Sequence, residues 1–453
     1  MNKHLHQSVT TQLANKRIVI LGIGITGLSC ARFLHRHQIS FAVNDSRAMP
    51  ISPGDFKHQF ADNTLVLGQW DSALIAQAEV LIVSPGIDIS VPVIDDIELF
   101  CRLSDTKIIA VTGSNGKSTV VSMLNYVGNA LGYHVQLGGN IGLPVLDQID
   151  EVDADFMVLE LSSFQLETVK SMKALAATIL NISDDHLDRH KTIENYAAIK
   201  QKIYQNARYA IFNRDDESTK PNNSCSNTEQ LSFGCDSAQN ANFGLADIDG
   251  VVHLMDGETA LCSLPELPLQ GIHNAVNYLA VLALGKCAGW NVAAMLASLI
   301  TFKGLAHRCE VIETTDGICW VNDSKATNVG ATLAAIEGLS PTLKNNKLIL
   351  IAGGDGKGAD FSPLKQALTQ HVDYLITLGK DGRAIASLRL PNQASTTTHV
   401  ETLSAAVSLA KNQASAGDMV LLSPACASLD MFSNYVERGV VFIKSVLTQK
   451  EPV

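Results

Sequence analysis

No basic run and no basic–aromatic stretch occurs anywhere in the 453 residues, and the formal net charge is −11. A nucleic-acid or anionic-membrane partner would call for a positive face, so neither is expected. The chain also lacks any window approaching the ~18 consecutive apolar residues that a membrane span needs. Its opening, MNKHLHQSVTTQLANK, has no apolar core of a signal peptide. These absences lead us to expect a cytoplasmic protein without membrane insertion. Paired cysteines are missing too: nine are scattered with no CxxC spacing, which argues against a disulfide framework and a structural zinc site. Cys287, Cys309, Cys319 and Cys426 lie in apolar or small-residue surroundings and read as small core residues. What the chain does have is 46% apolar and 17% charged residues, enough for several buried cores. Its length corresponds to about three domains at roughly 150 residues each. A monomer is the default.

Apolar runs alternate with helical patterns along the chain. RIVILG (Arg17 to Gly22), SFAVND ending at Asp45 and AEVLIVSPG (Ala78 to Gly86) read as buried strands, with the helix-like GLSCARFLHRHQ after the first. That alternation predicts a parallel, doubly wound sheet. KIIAVTG from Lys107 opens a second unit, followed by the helix KSTVVSMLNYVGNALG and the strands DFMVLEL, AATILNI and YAIFN. Between Asp215 and Leu264 the sequence turns polar and rich in Gly, Asp and Asn, which predicts short strands, turns and a weak local core; HNAVNYLAVLALGKCAG then returns to helical periodicity. A third unit from about Arg308 carries CWVNDS, KLILIAGG, DYLITLG and GDMVLLSPA. The predicted class is α/β in three domains, 1–104, 105–306 and 307–453. Rossmann-like doubly wound sheets flank a central domain of P-loop ATPase type.

VTGSNGKST carries the strongest chemistry. A strand ends at Thr112, Gly113 and Gly116 let the backbone approach phosphate, and a helix starts at about Lys117, so N–H groups and the helix dipole face a polyanion. Lys117 would sit on the β- and γ-phosphates of ATP, and Ser118 or Thr119 would offer a hydroxyl to Mg²⁺. The common P-loop spacing puts its first glycine at position 111, where this chain has Val111.

GIGITG, from Gly22 to Gly27, follows a strand, and Asp45 lies 18 residues beyond it at the end of the next strand. This is close to the dinucleotide fingerprint, in which an acid takes a ribose hydroxyl. The ligand, whether NAD, FAD or a nucleotide sugar, stays open, and tight strand–helix packing alone would leave the same pattern. Glu160 closes a strand where a carboxylate faces the phosphate crevice, and His186, in NISDDHLDRH, lies at another strand exit as a candidate ligand. Lys200 reads on composition as an ordinary surface-helix lysine. In the third unit WVNDSKATN places Asp323, Lys325, Thr327 and Asn328 after a strand, IAGGDGKGADF does so for Asp355 and Lys357, and LSPACASLDMF for Ser423, Ser428 and Asp430. Each alone suits an ordinary loop, but together on one sheet edge they predict a substrate pocket.

In this order VTGSNGKST, GGNIGLP, LELSSFQLE, ILNISDDHLDRH, LAHRCE, NDSKATN, GGDGKGADF and LSPACASLD resemble the Mur ligases of peptidoglycan synthesis. The resemblance spans nearly the whole chain and accounts for Val111, since that family uses the shorter GxxGK[ST] loop. It implies an ATP-dependent amide ligase that joins D-glutamate to UDP-N-acetylmuramoyl-L-alanine through an acyl phosphate. Gly113, Ser114, Asn115, Gly116, Lys117, Ser118, Thr119, Asn274, Arg308, Asp323 and Lys325 would hold ATP. Ser118 or Thr119 and Glu160 would serve one Mg²⁺, and His186 a second, together with Lys200 carbamylated by CO₂; this revises the surface reading of Lys200. Lys117, His186 and Lys200 would be catalytic. Ile25, Thr26, Asp45, Ser46, Arg47, Gly86 and Asn140 resemble the UDP-sugar site, and Thr327, Lys357, Ser428 and Tyr435 the D-glutamate pocket. Ser46 stands where the family pattern has Thr, Tyr435 where it has Phe, and Ile87 to Asp96 is about ten residues short. Two rivals stay open: a sister ligase adding another amino acid, or glutamate to folate, against which the first glycine run and LSPACASLD argue, and a protein binding NAD at GIGITG with a regulatory ATPase.

Overall fold

The computed structural model describes residues 3–87, 91–150, 153–183, 187–222, 228–237, 242–343 and 345–448. The chain forms two compact units, Met1–Ser263 with Val276–Thr301, and Leu264–Ala275 with Phe302–Val453. Helix Ile272–Cys287 is divided between them after Ala275.

The first unit holds two sheets. β1 (Ile18–Leu21), β2 (Phe41–Asp45), β3 (Thr64–Leu67) and β4 (Val80–Val83) make a parallel sheet ordered β3-β2-β1-β4. β1 is buried at every position, as a strand covered on both faces must be. The order reverses between β1 and β4, leaving a crevice beyond their carboxyl ends.

The second sheet is ordered β13-β12-β11-β10-β9-β8-β5-β7-β6. Its strands are β5 (Lys107–Thr112), β6 (Val135–Gly139), β7 (Phe156–Glu160), β8 (Ala174–Ile179), β9 (Tyr209–Asn213), β10 (Glu229–Phe233), β11 (Phe243–Ile248), β12 (Val251–Asp256) and β13 (Thr259–Ser263). It is parallel from β6 to β11, and β12 and β13 add antiparallel hairpins. The polar stretch thus packs better than its composition predicts. Phe233, Phe243 and Leu254 are fully buried, and Arg214 ties Ser232, Asp236 and the Phe243 carbonyl together. One continuous apolar core runs through both sheets, from Ile18 and Ile20 through Ile97, Leu99 and Phe100 to Ala110, Met157 and Ala210. That shared core makes them one unit although their sequences alternate independently.

The second unit contains β14 (Glu310–Ile312), β15 (Cys319–Asn322), β16 (Leu348–Gly353), β17 (Tyr374–Leu378), β18 (Thr397–His399) and β19 (Met419–Leu422), ordered β14-β15-β19-β16-β17-β18. All pairs are parallel except the edge pair β14·β15. Two apolar clusters, around Leu350, Leu364 and Leu421 and around Trp320, Ile376 and Phe442, bury the sheet. Among the described residues no helix is long and apolar enough to cross a membrane.

Candidate active site

The loop after β5 has a backbone course that its own sequence fixes. Gly116 caps helix Lys117–Ala130 with φ +83°, and a Cβ there would come within 2.6 Å of Asn277 Oδ1. Only glycine fits both demands. Asn181, just past β8, latches the loop: its carbonyl accepts from Ser114 N–H (2.9 Å) and its Oδ1 from Asn115 N–H (2.8 Å). Ser114 Oγ bonds the Ser183 carbonyl and accepts its N–H. Those two loop N–H groups are therefore structural. The first turn of helix Lys117–Ala130 presents the backbone N–H groups of Lys117 and of buried Ser118 and Thr119, donors that the helix ladder itself does not use. Lys117 Nζ folds back onto the carbonyls of Gly113 (2.7 Å) and Ser114 (2.8 Å).

β5 and β7 are neighbours, with Val111 opposite Glu160, so Glu160 ends beside the start of the loop. It is 1% exposed. Its Oε1 accepts from Asn140 Nδ2 (2.8 Å), the Glu160 carbonyl accepts from Asn140 N–H, and its Oε2 has no hydrogen-bond partner. Asn140, read above as a UDP-sugar residue, is thus tied to the predicted metal ligand. Lys200 is no surface lysine. Also 1% exposed, it donates to Thr112 Oγ1 (3.1 Å) and the Gly113 carbonyl (3.0 Å), with Nζ 4.6 Å from the Tyr196 ring centroid. Helical position cannot reveal that the helix Ile193–Gln201 packs Lys200 inward. His186 lies outside the described residues. His190, four residues on, is buried against Phe164 and Tyr196, with Nε2 2.9 Å from Ser163 Oγ.

At the carboxyl end of the first sheet, a Cβ on Gly27 would lie 1.9 Å from the Gly22 carbonyl oxygen, so helix Ile25–Arg36 packs on β1 at glycine contact distance. Asp45 is filled rather than open. Oδ2 accepts from Ile23 N–H (2.8 Å) and Arg47 Nη2 (2.7 Å), and Oδ1 from Arg47 N–H and Nε (2.9 Å each). Burial alone would raise its pKa, but the Arg47 guanidinium and the two N–H groups outweigh it and hold the carboxyl at about 2. Four donors saturate a carboxylate. The ribose-acceptor reading of Asp45 therefore gives way to one in which it fixes the turn and aims Arg47. Around it Ser46, Arg47 and Gly86 are exposed, as is the apolar Ile25 at 77%, with Thr26 half-buried.

In the second unit, β15, β19 and β16 lie side by side, so the three polar exits share one edge. Ser423 Oγ bonds Asp323 Oδ2 (2.8 Å), and Asp355 and Ala427 exchange backbone bonds. Burial pushes the Asp323 carboxyl up to about 6, against the pull of Ser423 and Arg308. Lys325 Nζ lies 5.2 Å from the Tyr435 ring centroid. Arg438, pulled down to about 10 by burial, donates to Ser324 Oγ and carbonyl and to the Cys426 carbonyl, locking the helix of Tyr435 to the Lys325 loop. Thr327 is half-buried beside that loop, and Ser428 is buried. Lys357 is exposed with φ +51° and donates its N–H to Asp355. Asn274 binds the Gln270 carbonyl in the short Leu264–Ala275 segment.

Three Mur ligase family models match: the MurD-like N-terminal domain over residues 16–99, the middle domain over 111–285 and the glutamate ligase domain over 307–426. The chain is 52% identical to the UDP-N-acetylmuramoylalanine–D-glutamate ligase of Colwellia psychrerythraea, covering 97% of this chain and 98% of that one. It is 42% identical to the enzyme so named from Legionella pneumophila, covering 94% and 98%. The chain belongs to the Mur ligases, in the UDP-N-acetylmuramoylalanine–D-glutamate ligase family. The fold is also that of MurF from Acinetobacter baumannii (17% identity, 96% and 98% covered, TM-score 0.65) and MurC from Thermotoga maritima (18%, 96% and 100%, 0.63).

A Mur ligase needs a divalent cation for its nucleotide, and the residues present suit Mg²⁺. Among the described residues no group of three or more His, Cys, Asp or Glu gathers as a protein-only metal cage. Mg²⁺ instead takes one or two protein oxygens and completes its shell with phosphate and water. The unpartnered Glu160 Oε2, beside the loop that leads into the helix of Ser118 and Thr119, would supply such an oxygen. Asn181, Asn277 and His190 were not singled out from the sequence. ILNIS and HNAVN carried a signal for the first two, polar residues at a strand exit and a helix start, whereas nothing but burial separates His190 from its neighbours.

Proposed function

We propose that this Mur ligase joins D-glutamate to UDP-N-acetylmuramoyl-L-alanine at the expense of ATP, a cytoplasmic step in peptidoglycan precursor synthesis. A carboxylate resists attack by an amine because it has no adequate leaving group. Transfer of the γ-phosphoryl group of ATP to the L-alanine carboxylate makes an acyl phosphate, and the D-glutamate amine then displaces phosphate through a tetrahedral intermediate. Catalysis is then mostly positioning and charge stabilisation. The observation that carries this reading is the phosphate loop with a buried, half-satisfied carboxylate, Glu160, on the adjacent strand.

Lys117 is the fixed cation for the transferring phosphoryl group, and the first turn of its helix orients the phosphate chain. Glu160 and Ser118 or Thr119 would hold Mg²⁺, which would supply charge neutralisation to the phosphates. His186 and a carbamate on Lys200 would hold a second ion. Burial of Lys200 beside Gly113 supports that assignment, since an interior lysine is costly unless the site uses it. Arg47 and the turn held by Asp45 take the uridine-diphosphate end of the acceptor, together with Ile25, Thr26, Ser46 and Gly86. In the second unit Asn274, Arg308, Asp323 and Lys325 take nucleotide, and Thr327, Lys357, Ser428 and Tyr435 take D-glutamate.

The test is phosphate release measured with each substrate omitted in turn. Release should require ATP, UDP-N-acetylmuramoyl-L-alanine and D-glutamate together. ATP hydrolysis indifferent to the two acceptors, or supported equally by another amino acid, would overturn the reading.

A further inference from the structure

Helix Ile25–Arg36 begins in the loop proposed to hold the uridine end, and half-buried Arg32 and exposed Arg36 lie one turn apart on one face of it. Arg32 grips Asp147 with two parallel bonds, Nε to Oδ1 (3.0 Å) and Nη2 to Oδ2. Arg36 holds Asp150 through Nε (3.2 Å) and Nη2 (3.0 Å) and donates to the Leu146 carbonyl (2.7 Å). Asp147 lies on the short helix Val145–Gln148, and Gln148 Nε2 fastens that helix to the carbonyls of Leu137 (3.0 Å) and Leu143 (2.7 Å). Between those two carbonyls the chain passes through Asn140, whose amide holds Glu160. A continuous series of bonds therefore runs from the GIGITG helix to the carboxylate assigned to the metal.

We propose that Arg32 and Arg36, through Asp147 and Asp150, are positioning residues. They set the span between the loop that takes the uridine end of the acceptor and the Glu160 centre where its other end reacts. The proposal rests on the ligase reading above. A ligand bridging two fixed sites gains from their being held at matching distance, whereas a ligand filling one site gains nothing. Isolated surface ion pairs contribute little, but the bidentate, partly buried Arg32–Asp147 pair, flanked by Arg36 on Asp150 and on the Leu146 carbonyl, restrains geometry.

The experiment uses the double variant Arg32→Ala/Arg36→Ala and three ligands. KM for UDP-N-acetylmuramoyl-L-alanine should rise roughly ten-fold. The Kd of free UDP, measured by calorimetry, and the KM of ATP should stay within about two-fold of wild type, because each engages one site only. Arg32→Asp combined with Asp147→Arg should recover most of the acceptor KM, and the milder Asp150→Asn should shift it in the same direction by less. An unchanged acceptor KM, or UDP affinity falling in step with it, would overturn the proposal. Failure of the ligase reading looks different: wild type itself would show no release of phosphate dependent on D-glutamate. If free UDP did not bind wild type, the uridine placement would fall, and this proposal with it.

Discussion

Replacing Glu160 by Gln should make the metal-free protein more stable and the enzyme inactive. The carboxylate is 1% exposed, with one oxygen on Asn140 and the other unpartnered. Glutamine keeps the first bond and puts a neutral N–H where a charged oxygen stood. An unmet neutral group costs about 1–3 kcal/mol and a charged one more, so the net gain is on the order of 1–2 kcal/mol. The first unit, with 289 residues, is larger than the 150–250 residues for which each kcal/mol moves Tm by roughly 2–4 °C, so its shift is about 2 °C per kcal/mol. Scanning calorimetry of both proteins in chelator should thus place the transition of the first unit several degrees higher in the variant. Adding MgCl₂ with a non-hydrolysable ATP analogue should raise wild-type Tm and leave the variant nearly unmoved, since only a bound ligand shifts the equilibrium. Turnover should fall at least about 100-fold, the upper range for merely supporting groups around a metal. A variant less stable than wild type in chelator, or one stabilised equally by Mg²⁺, would refute the argument that this oxygen waits for a cation.

Asp45→Asn should destabilise the first unit at neutral pH by about 2 kcal/mol or less, the energy of a carboxyl held at about 2 instead of 3.8. Because that pKa is depressed, the contribution is present above about pH 4 and disappears as pH falls toward 2; urea melts in which the wild-type–variant gap stays constant across that range would contradict it. Lys200→Ala should lose at least about 100-fold in kcat, with partial recovery from added formate or acetate occupying the carbamate position. Inactivity indifferent to carboxylates would remove the carbamate. Lys357→Ala, on an exposed loop of the second unit, should raise KM for D-glutamate more than KM for ATP. Equal effects on both would move it out of the amino-acid pocket.

The sequence by itself determined the α/β class and the course of the glycine-bounded loop after β5, since both are written in neighbouring residues. Buried strands are short apolar runs, and the geometry from Gly113 to Thr119 is set by glycines and a helix start within one turn. It also determined that polar loops follow β15, β16 and β19, although only the pairing of those strands brought the loops to one edge. The short β3 was not foreseen: its TLVL is at most half-buried on a sheet edge and makes a weak apolar signal. Partners far apart in the chain were decided by tertiary structure alone. Asn181 and Asn277 meet the loop after β5 from residues 66 or more away, and Asp45, already held by its near neighbour Arg47, is completed only by Ile23 N–H, 22 residues off. Lys200 shows the division most plainly. Its place on a helix follows from local pattern, but its burial against Thr112 and Gly113 depends on which face of that helix the rest of the unit covers.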